Sequence, residues 1–351
     1  MLRSMYSGIS GMKVNQTKLD VIGNNIANVS TTGYKASSAR FTDMLYQNSS
    51  EATAPTTTKG GTNATQVGLG AKLASINKVM GQGNALSTGR SLDVCVDGEG
   101  YIIVGSGDTS FAKENTIDAG GVIVGGENSI CYTRDGNFTL DKDGNLLTST
   151  GYRVMGYFYE DTNNQGVSSI GEDGVANYVN PDANDGANPP VSTLQAVGQG
   201  AQLNTLRIPN TVKYTDANGI TTEQPVASFS IGSDGLIIAV LGNGSQSVLG
   251  QIATAKFSNP EGLKDLGGGL STVSANSGVA VARSPRGALA AGFENNSGAY
   301  GDLVQGCLEA SNVDLTEQFT DMITAARAFQ ASSKMISTGD EILQTITGLM
   351  R

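Results

Sequence analysis

Apolar residues recur every seven positions at both ends of the chain. In the first stretch Met5, Met12, Leu19 and Ile26 form one series, Leu2, Ile9, Gln16 and Gly23 form a second column, and Ile22 widens the apolar face. At the other end Leu315, Met322, Phe329, Ile336, Leu343 and Met350 run unbroken, supported by Phe319, Ile323, Ala326, Ile346 and Leu349. A sustained seven-residue repeat without proline predicts a helix at each end. Asp314 and Glu317 supply a D-x-x-E start signal for the second one. The second columns are thin, with Gln16 and Gly23 in one, Ser333, Asp340 and Thr347 in the other, and Gly339 inside the C-terminal helix. One such seam buries too little apolar surface to offset the entropy of ordering so long a backbone. Helices of this kind are expected to find full burial among several neighbours.

Between the helices the period changes. Residues 48–66 are rich in Ser, Thr and Gly and predict a loop or an extended arm. From residue 67 to 155 short apolar runs alternate with turn residues, which predicts strands. Asp97–Gly98, Asp135–Gly136 and Asp143–Gly144 read as hairpin signals. Residues 160–200 are polar and irregular, strand signals return at 227–241 and 249–258, and a second loose stretch covers about 265–300.

Charge supports bringing the two ends together. Arg3, Lys13, Lys18 and Lys35 against Asp20 make the first end basic. Asp314, Glu317, Asp321, Asp340 and Glu341 against Arg327, Lys334 and Arg351 make the last end acidic. The whole chain carries a formal charge of −10, which argues against a nucleic-acid or anionic-membrane surface.

The chemistry is sparse. With 47 glycines, no tryptophan and 38% apolar residues among 351, the chain suits many short strands and tight turns. The absence of histidine removes Ser–His–Asp and Cys–His catalysis, and His-containing zinc sites. Cys95, Cys131 and Cys307 have no metal-like spacing, and Cys95 and Cys131 sit in apolar strand-like runs as small core residues. The segment 141–145 looks superficially like a calcium loop, but glycine stands at its fourth position and Tyr152 at its twelfth, so it reads as a turn. No phosphate-binding glycine loop or paired carboxylate in an apolar setting is found. No catalytic, cofactor or metal residue is expected. No apolar run is long enough for a membrane-spanning helix, and the first residues lack the continuous apolar core of a cleavable secretory signal.

The segment LDVIGNNIANVSTTGYK, residues 19–35, resembles the N-terminal signature of the bacterial flagellar rod and hook axial proteins. Its signature positions are Asn24, Asn25, Asn28 and Gly33. TGRSLDVCVDGEGYIIV (88–104), YTRDGNFTLDKDGNLLTSTGY (132–152), LGQIATAKFSNPEGL (249–263) and residues 301–350 resemble further family segments, in the family's order. The resemblance implies a multi-domain α plus mainly-β fold. The N- and C-terminal helices (1–30 and 312–351) pack as an axial helical core domain, and nested β-rich outer domains follow. The remaining divisions are expected at 31–70 with 290–311 as connecting chain, 71–155 with 225–289 as the β-rich domain, and 156–224 as an irregular excursion or reduced outer β domain.

Within the family the wording LEASNVDL and the excursion between 155 and 225 favour the hook type, with the distal rod type as the alternative. A secreted adhesive or carbohydrate-active β protein is the alternative from another class. The resemblance implies a non-enzymatic subunit that polymerises with its own copies into a hollow tube, a flexible joint passing torque from rod to filament. It would meet rod and hook-associated junction proteins, a hook cap and the flagellar export apparatus. It would lie outside the cell, exported without a cleavable signal. The apolar series on the two helices would then be the subunit-packing residues.

Overall fold

The computed structural model describes residues 2–57, 59–106, 116–117, 122–124, 129–161, 176–178, 194–196, 203–215, 221–283 and 300–349. The chain divides into two compact units. The first holds residues 1–30, 35–81 and 312–351; the second holds 31–34 and 82–311.

In the first unit, helix α1 (Leu2–Ala27) and helix α2 (Leu315–Leu349) form an antiparallel hairpin, for Met5 meets Gly339 and Asn25 meets Gln318. At 1.5 Å per residue, α2 is about 52 Å long. Asp314 caps it: its Oδ1 accepts from the backbone N–H of Thr316 at 2.8 Å and of Glu317 at 3.3 Å.

The seam between the helices uses a different second column from the one the sequence suggested. On α1 it runs through Gly8, Asn15 and Ile22, while Ile9, Gln16 and Gly23 face outward. On α2 it runs through Gln318, Ala325, Ser332 and Gly339, while Ser333, Asp340 and Thr347 are exposed. Small residues decide this choice. A β-carbon at Gly8 would come within 3.3 Å of Ile336, and one at Gly339 within 3.2 Å of Met5, so these positions let the helix backbones approach. Lys18 and Asp321 bridge the helices at 3.2 Å, a partly exposed pair worth at most about 1 kcal/mol.

The same unit contains a two-stranded antiparallel ribbon. Strand β1 (Ser37–Asp43) pairs with β4 (Ala71–Lys78), with a bulge at Arg40/Phe41. Beyond it, β2 (Tyr46–Ser50) pairs with β3 (Thr65–Gly68), and a bridge at Thr53–Thr62 carries the pairing further. The Ser/Thr-rich stretch is thus a paired arm. The chain divides after β4, at 81/82, because β4 has β1 as its strand partner.

The second unit is built on one large sheet. Its path runs through strands 211–215, 221–231, 236–241, 246–252, 153–157, 101–106, 129–133, 270–272 and 264–267. Tyr101–Ser106 lies in the middle, and its apolar run has a physical cause. Ile102 and Val104 enter one buried cluster with Val94, Cys131 and Ile237, whereas Tyr101 and Ile103 enter another with Tyr132, Tyr157 and Phe257. Successive residues point to opposite faces, and here both faces are covered. Leu203, Leu206, Ile208 and Val212 join the same clusters, so the described end of the excursion belongs to this core.

The turn signals divide. Asp143–Gly144 closes a hairpin in which Phe138–Leu140 pairs with Leu146–Thr148. Asp97–Gly98 and Asp135–Gly136 do not. The strand Val94–Asp97 pairs with Asp302–Gln305, and Ser129–Thr133 pairs with Tyr101–Ser106. Gly136 is there for a different reason: a β-carbon on it would lie 1.5 Å from the Val94 carbonyl, so only glycine lets these backbones pass. The stretch expected to be loose at 265–300 contains strands at Lys264–Gly267, Leu270–Thr272 and Val281–Ala282 in its described part.

Candidate functional site: helical faces, ribbon base and neck

The site residues expected from the sequence fall into two groups on the helices. Ile22 and Asn25 are buried, as is Ala325, which the sequence reading left out, and Met5, Met12, Leu19, Ile26, Met322, Phe329, Ile336 and Leu343 are half-buried along the seam. Ile9, Leu315, Phe319 and Ile346 are exposed. Leu2 is described by its backbone alone, and Met350 lies outside the described residues. The sequence reading placed Met335 and Ile342 in neither series. Both are exposed, as is Leu349, and the three follow one another at seven-residue spacing. Met335 and Ile342 line an open groove of about 500 Å³ with Ser4, Lys334, Thr338 and Gly339. Apolar surface therefore continues around the hairpin past the seam that the hairpin itself covers.

The signature asparagines act by hydrogen bonding. Asn25, 1% exposed, accepts the Ser37 N–H at 2.9 Å and donates from Nδ2 to the Ser37 carbonyl at 2.8 Å and to Gln318 Oε1 at 3.0 Å. Its amide treats Ser37 as a neighbouring strand would. Asn28 donates back to the Asn24 carbonyl at 2.9 Å and to Asn24 Oδ1 at 3.0 Å, closing the last turn of α1 where the helix ends. Asn312, which the sequence reading left out of the site, accepts the Ala36 N–H at 2.7 Å and donates to the Val79 carbonyl at 2.7 Å and the Gly81 carbonyl at 3.0 Å. Its place two residues before the Asp314 cap was the one available clue.

Gly33 belongs to the second unit. Its φ is +67°, and a β-carbon would lie 2.9 Å from the Arg134 carbonyl carbon. Its N–H donates to the Glu309 carbonyl at 2.8 Å. Beside it lies a buried ion pair. Arg134 Nη1 contacts Glu309 Oε2 at 3.2 Å and Oε1 at 3.3 Å, and Nη2 donates to the Gly98 carbonyl at 2.7 Å. Glu309 Oε1 also accepts the Gly83 N–H at 3.0 Å, and the guanidinium lies 5.3 Å from the centre of the Tyr101 ring. The pair gathers the segments where the chain enters and leaves this unit: 31–34, 82–85 and 307–311. Cys95 and Cys131 are buried in strands, and Cys307 is half-buried. Burial, then the nearby Glu309 carboxylate, push the Cys95 thiol up from its usual range.

A family model described as "Flagella basal body rod protein" matches residues 5–35, one described as "Flagellar hook protein FlgE/F/G D1 domain" matches 122–239, and one described as "Flagellar basal body rod FlgEFG protein C-terminal" matches 304–349. The flagellar basal-body rod protein FlgG of Bacillus subtilis is 39% identical over 351 residues, with all of both chains covered. This chain belongs to the flagellar rod and hook axial family.

The flagellar hook protein FlgE of Borreliella burgdorferi is 29% identical over 471 aligned positions, covering 99% of this chain and all of that one. The crystal structure of Helicobacter pylori flagellar hook protein FlgE2 aligns with a TM-score of 0.40 at 10% identity, covering 64% of this chain and all of that one. Axial proteins of this family are structural components of the flagellum, and they polymerise. The two terminal matches fall on α1 with its exit and on α2 with the strands before it.

Proposed function

We propose that this chain is a non-enzymatic subunit of the flagellar axial tube, of the distal rod type. The observation that carries self-assembly is the apolar surface left uncovered on the helical hairpin: Ile9 on α1, and Phe319, Ile323, Met335, Ile342 and Leu349 on α2. A soluble monomer gains nothing from such faces, whereas a helical array of copies covers them on several sides. Head-to-tail contacts whose rotation does not close generate a tube. Length supports the rod type over the hook type. The alignment with the Bacillus rod protein needs 351 positions for a chain of 351, while that with the Borreliella hook protein stretches to 471. Hook relatives thus carry segments that this chain lacks.

The hook reading, a flexible joint transmitting torque, retains support from the wording LEASNVDL and from the full-length similarity to a hook protein. Rod and hook-associated junction proteins, a hook cap and the export apparatus are partners under either reading, with placement outside the cell by an export route that needs no cleaved signal. Electron microscopy of the concentrated, purified chain separates the readings. Straight rods are expected, curved tubes would favour the hook type, and persistent monomers at high concentration would overturn both.

A further inference from the structure

The base of the ribbon is held from both helices at once. Residue Asn25 of α1 grips Ser37, where β1 begins, and shares its Nδ2 with Gln318 of α2. Asn312, just before α2, grips Ala36 on one side of the base and Val79 and Gly81 on the other. Ala36 and Val79 also bond to each other, the Val79 N–H donating to the Ala36 carbonyl at 2.8 Å. A two-stranded ribbon is at best marginally stable alone, and β2 and β3 are exposed at every position. These outer strands therefore take their order from the part below them, where β1 and β4 pair, lie along α1 with Gly70 against Ser7 and Ser10, and are tied at the base.

From this arrangement we propose that docking of residues 312–349 on α1 closes a two-asparagine clasp, which fixes the ribbon of residues 36–81. Before α2 docks, the Ala36 N–H and the Val79 carbonyl lack their Asn312 partner, the Gly81 carbonyl keeps Lys35 Nζ but not Asn312, and the Asn25 amide lacks its Gln318 acceptor. The ribbon then takes its fixed course only after the last segment of the chain is in place. The inference rests on packing inside the first unit and is independent of whether the subunit serves in rod or hook.

Amide hydrogen exchange on the full-length chain tests it, comparing Asn312→Ala, Asn312→Asp and Gln318→Leu with the parent. In the parent, peptides covering 36–43 and 71–81 should be protected. Asn312→Ala should speed exchange in both by about tenfold or more while peptides of α1 and of the second unit hold their rates. Asn312→Asp keeps the acceptor for Ala36 but loses both donors, so the increase should concentrate in 71–81. Gln318→Leu should raise exchange at Ser37 alone. Three results overturn the clasp: an unprotected ribbon base in the parent, no change in Asn312→Ala, or an equal rise across every peptide of the first unit.

Discussion

The buried pair Arg134–Glu309 ties together several segments of the second unit. Glu309 is 1% exposed and serves two partners with its carboxylate and a third with its backbone. Removing one member of such a pair leaves a buried charge uncompensated, at a cost of about 3–5 kcal/mol. Glu309→Ala should therefore lower the urea-unfolding free energy of the second unit by that amount. Replacing both partners with leucine should cost distinctly less. Equal losses in the single and double variants would mean that the pair contributes through packing alone.

The tyrosines give this unit an alkaline limit. Tyr300 donates to the Val281 carbonyl at 2.8 Å, and burial pushes its phenol up to about 12, the nearby Arg283 opposing only in part. Burial also raises Tyr132 and Tyr157, the latter with its hydroxyl on the Arg283 carbonyl. An unfolded tyrosine loses its proton near pH ~10. Between there and about 12 the unfolded chain binds fewer protons than the folded one, so stability falls as pH rises. The contribution is complete below the unfolded value and disappears through the folded one. Denaturation curves from pH 8 upward should stay level and then decline above ~10. Tyr300→Phe should flatten part of that decline; an undiminished slope would mean that other groups cause it.

At the scale of elements, α1 and α2 were legible because seven-residue repetition survives in every copy of the turn. Their pairing column was not. Apolar counting favours Leu2 and Ile9 over Gly8 and Asn15, yet close approach rewards the smaller residues, and the outer apolar residues are left for other partners. The turn dipeptides show a similar limit. Asp–Gly fixes a local bend, but the choice of strand partner belongs to distant residues such as those at 302–305. Phe329 sits at the middle of the α2 series and is half-buried against α1. An aspartate there would place an unpaired charge in an apolar seam. Phe329→Asp should abolish tube formation in sedimentation and microscopy while leaving the circular dichroism and melting of the second unit unchanged. Normal tubes from this variant would remove the helical hairpin from the assembly surface.

On the scale of the whole molecule, the nested order of helix, strands and helix was readable from the changing period. The family segments were readable in their sequence order. What the sequence concealed was how polar text can hold a fold together. Asn312 and Glu309 look like solvated residues in a linear reading, Asn25 stood out there only as a signature position, and each is a junction for segments far apart in the chain. The ribbon hid for the same reason, since Ser and Thr pair as well as they loop when an anchored base sets their register.

The route of the backbone between the units has a practical corollary. It passes from one to the other at 30/31, 34/35, 81/82 and 311/312, and the brief first visit leaves Gly33 and Thr32 bonded to Glu309 and Asp135. A recombinant fragment cut at 82 and 311 would omit that tetrapeptide, exposing the Glu309 carbonyl and the slot beside Arg134. Gene dissection of the β-rich part thus calls for a graft: residues 31–34 supplied by a short tether or added back as a peptide.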